Sequence, residues 1–183
     1  MRVLISQRDM RPAPSYFVFD ALERSWYKFL FKHYLIPVPN LGIIDKSIEF
    51  DCLVLTGGPD SIERNLTENS LFKHAFDLNK PIVGFCHGAF AVNDLTGGVN
   101  GKIDGHVDTY HEILMDNNTF VVNSYHGQSI ETVGIDMRPI AWDSENNIEA
   151  FKHKDRPIYG IVWHPERMPT PVLPKEVQNI LFG

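Results

Sequence analysis

Apolar positions along the first half of this chain fall into two alternating kinds of stretch. Arg2–Ser6, Asp51–Leu55 and Pro81–Phe85 are short apolar runs. Such runs predict strands buried on both faces, as in a parallel sheet. Between them apolar residues recur at helical spacing. Phe19, Leu22, Trp26, Phe29 and Leu30 predict a helix within Ser15–Tyr34. Leu71, Phe72, Ala75, Phe76 and Leu78 predict another over Thr67–Leu78, and Ala89–Leu95 a third. Arg8–Pro14 reads as a polar loop, and Ile36-Pro37-Val38-Pro39-Asn40 as an edge strand, because its prolines cannot donate to a ladder. Strand and helix in alternation predict a doubly wound, mostly parallel α/β sheet with right-handed crossovers.

After Gly97-Gly98 the pattern changes. Short β-like pieces follow at His111–Met115, Thr119–Ser124, Glu131–Val133, Pro139–Asp143, Ile148–His153 and Pro157–Trp163, with a turn at Asp116-Asn117-Asn118. This predicts an antiparallel β excursion that returns to the main sheet at Gly160–Glu166. Met168–Pro174 reads as a proline-broken loop and Lys175–Phe182 as a final helix. No repeat or linker interrupts the pattern, so residues 1–183 are expected to form a single domain.

Composition narrows the function classes. A net charge of −6 argues against a nucleic-acid or polybasic membrane-surface role. No apolar stretch approaches the roughly 20 residues of a membrane span, and the opening residues do not resemble a signal peptide. Two cysteines, Cys52 and Cys86, make no disulfide framework. A reducing, cytoplasmic setting is the expectation.

The candidate chemistry centres on Gly84-Phe85-Cys86-His87-Gly88, which follows a predicted strand and precedes a predicted helix. Glycine, any residue, nucleophile, any residue and glycine at a strand-to-helix turn form a nucleophile elbow. The helix N-terminus stabilises a thiolate and then an oxyanion. A cysteine nucleophile needs a base, and the base an orienting group. His164 follows the apolar Ile161–Trp163, and Glu166 stands where its carboxylate can turn back to the imidazole. Strand ends converge at one edge of a parallel sheet, which predicts that Cys86 and His164 meet. A Gly57-Gly58-Pro59 turn after the Asp51–Leu55 strand offers backbone N–H groups to a ligand. Cys52 is read as a packing residue.

Taken together, Thr56–Ser61, Gly84–Gly88, Asn123-Ser124-Tyr125-His126 and Trp163-His164-Pro165-Glu166 resemble the class I (triad) glutamine amidotransferases, in that family's order. They are nearest the stand-alone γ-glutamyl hydrolase branch, which includes γ-glutamyl-GABA and γ-glutamyl-CDP-amidate hydrolases. The resemblance implies a flavodoxin-like fold. It implies that Cys86 attacks a γ-glutamyl carbonyl, that His164 is the base, and that Glu166 orients it. The backbone N–H groups of Gly58 and His87 would form the oxyanion hole. Gly57 and the segment Ser124, Tyr125 and His126 would hold the substrate. A γ-glutamyl thioester would be resolved by water, with no metal or organic cofactor. One departure stands out: where the family has glutamine, this chain has Phe90. Either the substrate is not free glutamine or another residue takes over, and a larger, more apolar γ-linked amine is one option.

Two other readings stay open. The chain could be a glutaminase that passes ammonia to a separate synthetase, since it has no nucleotide-binding loop of its own. His87 after Cys86 also resembles the DJ-1/PfpI-like proteins, which act as peptidases, deglycases or redox sensors. An α/β-hydrolase order is disfavoured, because there the acid precedes the histidine. His106, Asp108, His111 and Glu112 lie close in sequence, but the spacing is not His-Glu-x-x-His. They are read as a solvated or rim-lining loop, and no metal is expected.

Overall fold

The computed structural model describes residues 1–13 and 16–183. Pro14 and Ser15, where the expected loop ends and the expected helix begins, lie outside the described residues. Five strands pair in parallel: β1 (Arg2–Ser6), β4 (Tyr34–Val38), β5 (Cys52–Leu55), β6 (Ile82–Phe85) and β13 (Ile158–Ile161). Their spatial order, β4-β1-β5-β6-β13, is the flavodoxin order. Successive residues of β1 alternate between two cores. Val3 and Ile5 pack with Trp26, Phe29 and Leu181 on one face, and Leu4 packs with Leu71 and Phe72 on the other. Burial on both faces is what the apolar runs predicted. The proline-containing β4 is an edge strand, where a missing donor is tolerated.

From β13 the sheet continues antiparallel through β12 (Ile148–His153), β11 (Met137–Asp143), β8 (Val107–Met115) and β9 (Asn118–Tyr125). The excursion is therefore part of one nine-stranded sheet. β7 (Val99–Lys102) and β10 (Gln128–Thr132) form a separate antiparallel pair. β7 has too little apolar content to announce itself. His111 and its neighbours lie in β8, with His106 buried just before it, so the expected solvated loop is a strand instead.

The region after β1 also departs from expectation. Arg8–Met10 (β2) pairs with Phe19–Ala21 (β3), so part of the predicted loop and part of the predicted helix form a hairpin. The helix is only α1 (Arg24–Phe29). Phe17 and Phe19 are exposed, whereas Trp26, Phe29 and Leu30 are buried, so the apparent helical period joins two unrelated elements. Helix α2 (Ile62–Asp77) starts earlier than the apolar period suggested, because the Ser61 side chain caps it by accepting from Arg64 N–H at 3.1 Å. α3 (His87–Leu95) and α4 (Lys175–Phe182) fall where they were predicted. No helix among the described residues is long and apolar enough to cross a membrane.

Candidate active site

Cys86 joins β6 to α3 with φ 50° and ψ −111°, a conformation that costs about 1–3 kcal/mol and survives only when its surroundings enforce it. Here they do. The Cys86 N–H donates to Ile161 O at 2.8 Å, and the Gly88 N–H to Thr56 O at 3.1 Å, which locks the turn between β5 and β13. The flanking glycines are steric necessities. A Cβ on Gly84 would lie 2.2 Å from Gly88 O, and one on Gly88 2.2 Å from Leu55 O. The result is a thiol at the C-terminal edge of the sheet, over the first turn of α3.

His164 reaches that thiol from the end of β13. Its Nδ1–H donates to Glu166 Oε1 at 2.6 Å, and its ring lies beside Cys86 across Gly57. Pro165 begins the single 3₁₀ turn Pro165–Arg167, which folds Glu166 back under the imidazole. Burial alone would lower the pKa of His164. The bonds to Cys86 and Glu166 overcome it and push the value up to about 9. Asn123 of β9 fixes the backbone of this residue. Its Nδ2 donates to His164 O at 2.9 Å, and its Oδ1 accepts from His164 N–H at 2.8 Å. Tyr125 sets its ring edge-on to the imidazole, centroids 5.7 Å apart, and the Arg167 guanidinium lies over that ring. Arg167 in turn makes a bidentate pair with Glu23.

A second buried network shapes the opposite wall. Arg64 and Glu68, one turn apart on α2, are fully enclosed. Arg64 donates to Glu68 Oε1 at 2.9 Å, to Thr56 O at 2.6 Å, to Pro59 O at 3.2 Å and to Gly57 O at 3.4 Å. One guanidinium thereby sets the path of the Gly-Gly-Pro turn. Gly58 has φ 134°, and a Cβ there would meet Arg64 Nη1 at 2.8 Å. Glu68 also accepts from Ser6 Oγ at 2.8 Å and contacts His87 Nε2 at 2.9 Å. Burial would raise the pKa of Glu68, but the His87 bond and the Arg64 charge hold it below the usual carboxylate range. The other His87 nitrogen faces Asp60 Oδ1 at 2.9 Å. The His87 ring thus braces the elbow, while its backbone N–H begins α3.

Cys86, His164 and Glu166 are therefore brought together, with Gly57 packed against the first two. The backbone N–H groups of Gly58 and His87 have no hydrogen-bond partner among the described residues. In the Ser124–His126 segment only the Tyr125 ring faces His164. Ser124 Oγ donates to His106 O at 2.6 Å, and His126 Nδ1–H donates to Gln128 O at 2.7 Å, so both side chains turn into the excursion. A cavity of about 460 Å³ adjoins the elbow, lined by Asp60, Glu68, His87, Phe90, Asp94 and Gln128 among others. Sequence reasoning missed Asn123 as an anchor and missed the Arg64–Glu68 pair altogether. At i,i+4 that pair looks like an ordinary surface salt bridge.

The chain is 32% identical over 164 residues to the γ-glutamyl-CDP-amidate hydrolase of Campylobacter jejuni, covering 81% of each chain. It is 27% identical to a component of the glutamine-hydrolyzing GMP synthase of Methanococcus vannielii, over 69% of this chain and 70% of that one. Among solved structures, a GMP synthase component from Thermoplasma acidophilum matches with a TM-score of 0.73 at 21% identity. That match covers 99% of this chain and 92% of that chain. A glutamine amidotransferase from Thermotoga maritima matches with a TM-score of 0.67 at 13% identity, over 90% of this chain and 76% of that chain. These structural likenesses establish the fold. The profile of the family described as glutamine amidotransferase class-I matches residues 18–182. The chain belongs to the class I glutamine amidotransferase family, and it is a hydrolase of C–N amide bonds.

Proposed function

We propose that this protein hydrolyses a γ-glutamyl amide through a Cys86–His164–Glu166 triad and a γ-glutamyl thioester. The observation that carries the reading is the convergence of Cys86, His164 and Glu166, with His164 hydrogen-bonded to Glu166 and both Cys86 and the His164 ring packed against Gly57. The thiolate of Cys86 attacks the γ-carbonyl carbon, and the oxyanion develops towards the backbone N–H groups of Gly58 and His87. The His164 imidazolium gives its Nε2 proton to the leaving nitrogen as the C–N bond breaks. Ammonia or an amine departs and a thioester remains. Neutral His164 then takes a proton from water, which attacks the thioester. Collapse releases glutamate and returns the thiolate beside the imidazolium. Glu166 holds the Nδ1 proton throughout and stabilises the charged ring, as the acid does in a Ser-His-Asp triad.

Phe90 lines the cavity beside the elbow, where it supplies an apolar surface. This supports a γ-linked amine larger than ammonia, as does the γ-glutamyl-CDP-amidate hydrolase relative. The test is a kinetic comparison of glutamine with a panel of γ-glutamyl amides, together with mass spectrometry of the enzyme quenched during turnover. The expected result is a γ-glutamyl adduct on wild type, none on Cys86→Ala, and higher kcat/KM for the substituted amides. Faster turnover of glutamine would reject the larger leaving group. Turnover by Cys86→Ala would reject the thioester.

The relatives named as components of GMP synthase favour a second reading, in which ammonia passes to a separate synthetase. Weak turnover alone and strong stimulation by a partner would select it. A DJ-1/PfpI-like role is less well supported. The Glu68 oxygens are engaged by Ser6, Arg64 and His87, and the partner of Cys86 is the His164 imidazole.

A further inference from the structure

A second cluster of chemically capable side chains lies in the antiparallel excursion, outside the triad. His106, His111, His126 and Glu149 converge there. Glu149 is 1% exposed, His126 5% and His106 8%. Buried polar atoms are almost always hydrogen-bonded. Here His106 Nδ1, both nitrogens of His111, His126 Nε2 and Glu149 Oε2 have no partner at hydrogen-bond geometry among the described residues. Their mutual distances explain why. Glu149 Oε1 stands 3.6 Å from His106 Nδ1 and 3.7 Å from His126 Nε2, and Glu149 Oε2 stands 3.5 Å from His111 Nε2. These separations are at or beyond the outer limit of a hydrogen bond. Those from Glu149 to His106 and His111 match the edges of a tetrahedron about an ion with bonds near 2.0–2.2 Å, which run to about 3.3–3.6 Å. One ligand atom from each of His106, His111 and Glu149 lies within 4.8 Å of the others.

The outer contacts point the same way. His126 Nδ1–H donates to Gln128 O at 2.7 Å, which leaves the Nε2 lone pair facing Glu149. His106 Nε2 lies 3.4 Å from Asp143 Oδ2. Asp143 is itself fixed, since it accepts from Glu145 N–H at 2.9 Å and from Asn147 N–H at 2.7 Å. A histidine bound through one nitrogen to a carbonyl or carboxylate, with the other nitrogen free towards a common centre, is how metal-ligating imidazoles are oriented.

We propose that His106, His111 and Glu149 bind a divalent transition-metal ion of the zinc class. Two imidazoles and a carboxylate suit such an ion and leave its fourth position open, with His126 beside the site. It ties β8 and the segment before it to β12, and β8 pairs with β9, the strand that carries Asn123 and Tyr125 to the catalytic histidine.

The full-length protein, stripped with a chelator, is titrated with Zn²⁺ by calorimetry and with Co²⁺ by absorption. The expected result is one equivalent bound, tetrahedral d–d bands without a thiolate charge-transfer band, and a melting temperature that rises with free metal. His111→Ala abolishes tight uptake, and Asp143→Asn, beyond the ligands, weakens it by about 10–100-fold. Absence of stoichiometric uptake by wild type overturns the proposal. So does a thiolate band, which would place the ion on Cys86, or unchanged affinity in His111→Ala. If the variants do not fold, the ¹⁵N shifts of the wild-type histidines on adding Zn²⁺ decide. The imidazole nitrogens of residues 106 and 111 must move, and movement of His164 alone refutes the site.

Discussion

Replacing Gly57 with alanine tests the assembled site without touching a reacting group. A Cβ at this position would lie 2.4 Å from His164 Cε1, 3.1 Å from Nε2 and 3.3 Å from Cys86 Cβ, whereas ordinary contact begins at 3.4 Å. Either the ring or the loop must retreat by about 1 Å. The loop is held by Arg64, which donates to the carbonyls of Thr56, Gly57 and Pro59. The ring is held by one strong bond at Nδ1 to Glu166 and by weaker contacts to Cys86 and Tyr125, so it is the ring that rotates away from Cys86. A displacement near 1 Å at a reacting pair costs roughly 100-fold in rate, about 2.7 kcal/mol of transition-state stabilisation. Overpacking costs about 1–3 kcal/mol of stability, which lowers Tm by only several degrees in a chain of this size. The assay is amine release from a γ-glutamyl amide at 25 °C, with thermal unfolding measured in parallel. A kcat/KM within about threefold of wild type and an unchanged Tm would show that residue 57 does not abut the pair.

The other expectations concern charge and support. Because the His164 pKa is raised in the folded state, its contribution to stability is complete below about 6.5 and is lost as pH rises through about 9. Glu166→Gln should weaken that dependence and shift the alkaline limb of kcat/KM to lower pH, as a pH-rate series would show. Asn123→Ala leaves the N–H and C=O of His164 unpaired, so urea unfolding should report a loss of about 2–5 kcal/mol and kcat should fall with it. Glu68→Gln strands the buried Arg64 charge, and a destabilisation of about 3–5 kcal/mol is expected by denaturant titration. Phe90→Gln should raise kcat/KM for glutamine relative to γ-glutamyl alkylamides at least tenfold in a two-substrate competition; an unchanged ratio would remove Phe90 from specificity.

The parts of this protein legible in sequence are those whose signal is local. The parallel strands declared themselves because burial on both faces removes polar alternation from Val3–Ile5 and Leu53–Leu55. The elbow was legible because Gly84 and Gly88 meet backbone carbonyls that no side chain could share. The hairpin of Arg8–Met10 with Phe19–Ala21 was not, because its exposed aromatics happen to fall in step with the buried Trp26 and Phe29. Arg64 and Glu68 were hidden for a different reason. Helical spacing says that they face each other, but only the tertiary fold says that they face inward beneath the Gly-Gly-Pro turn. His106 and Glu149 are far apart in the chain, and no spacing rule links them.

What unites the two halves is that His164, the proposed base, belongs to both. Its position just after β13 places it at the seam where the parallel sheet gives way to the antiparallel strands. One side of the seam supplies Cys86 from β6, with Gly57 after β5, and the Arg64–Glu68–His87 network makes that side rigid. The other side supplies Asn123 and Tyr125 from β9, at the far edge of the same sheet. Asn123 reaches His164 because β9 ends above the chain that leaves β13, not because the two strands pair. Anything that shifts the excursion therefore acts on the backbone of His164 before it acts on any substrate. The excursion is in this sense part of the catalytic scaffold, and perturbing its core should lower kcat through the base, with the thiol left in place.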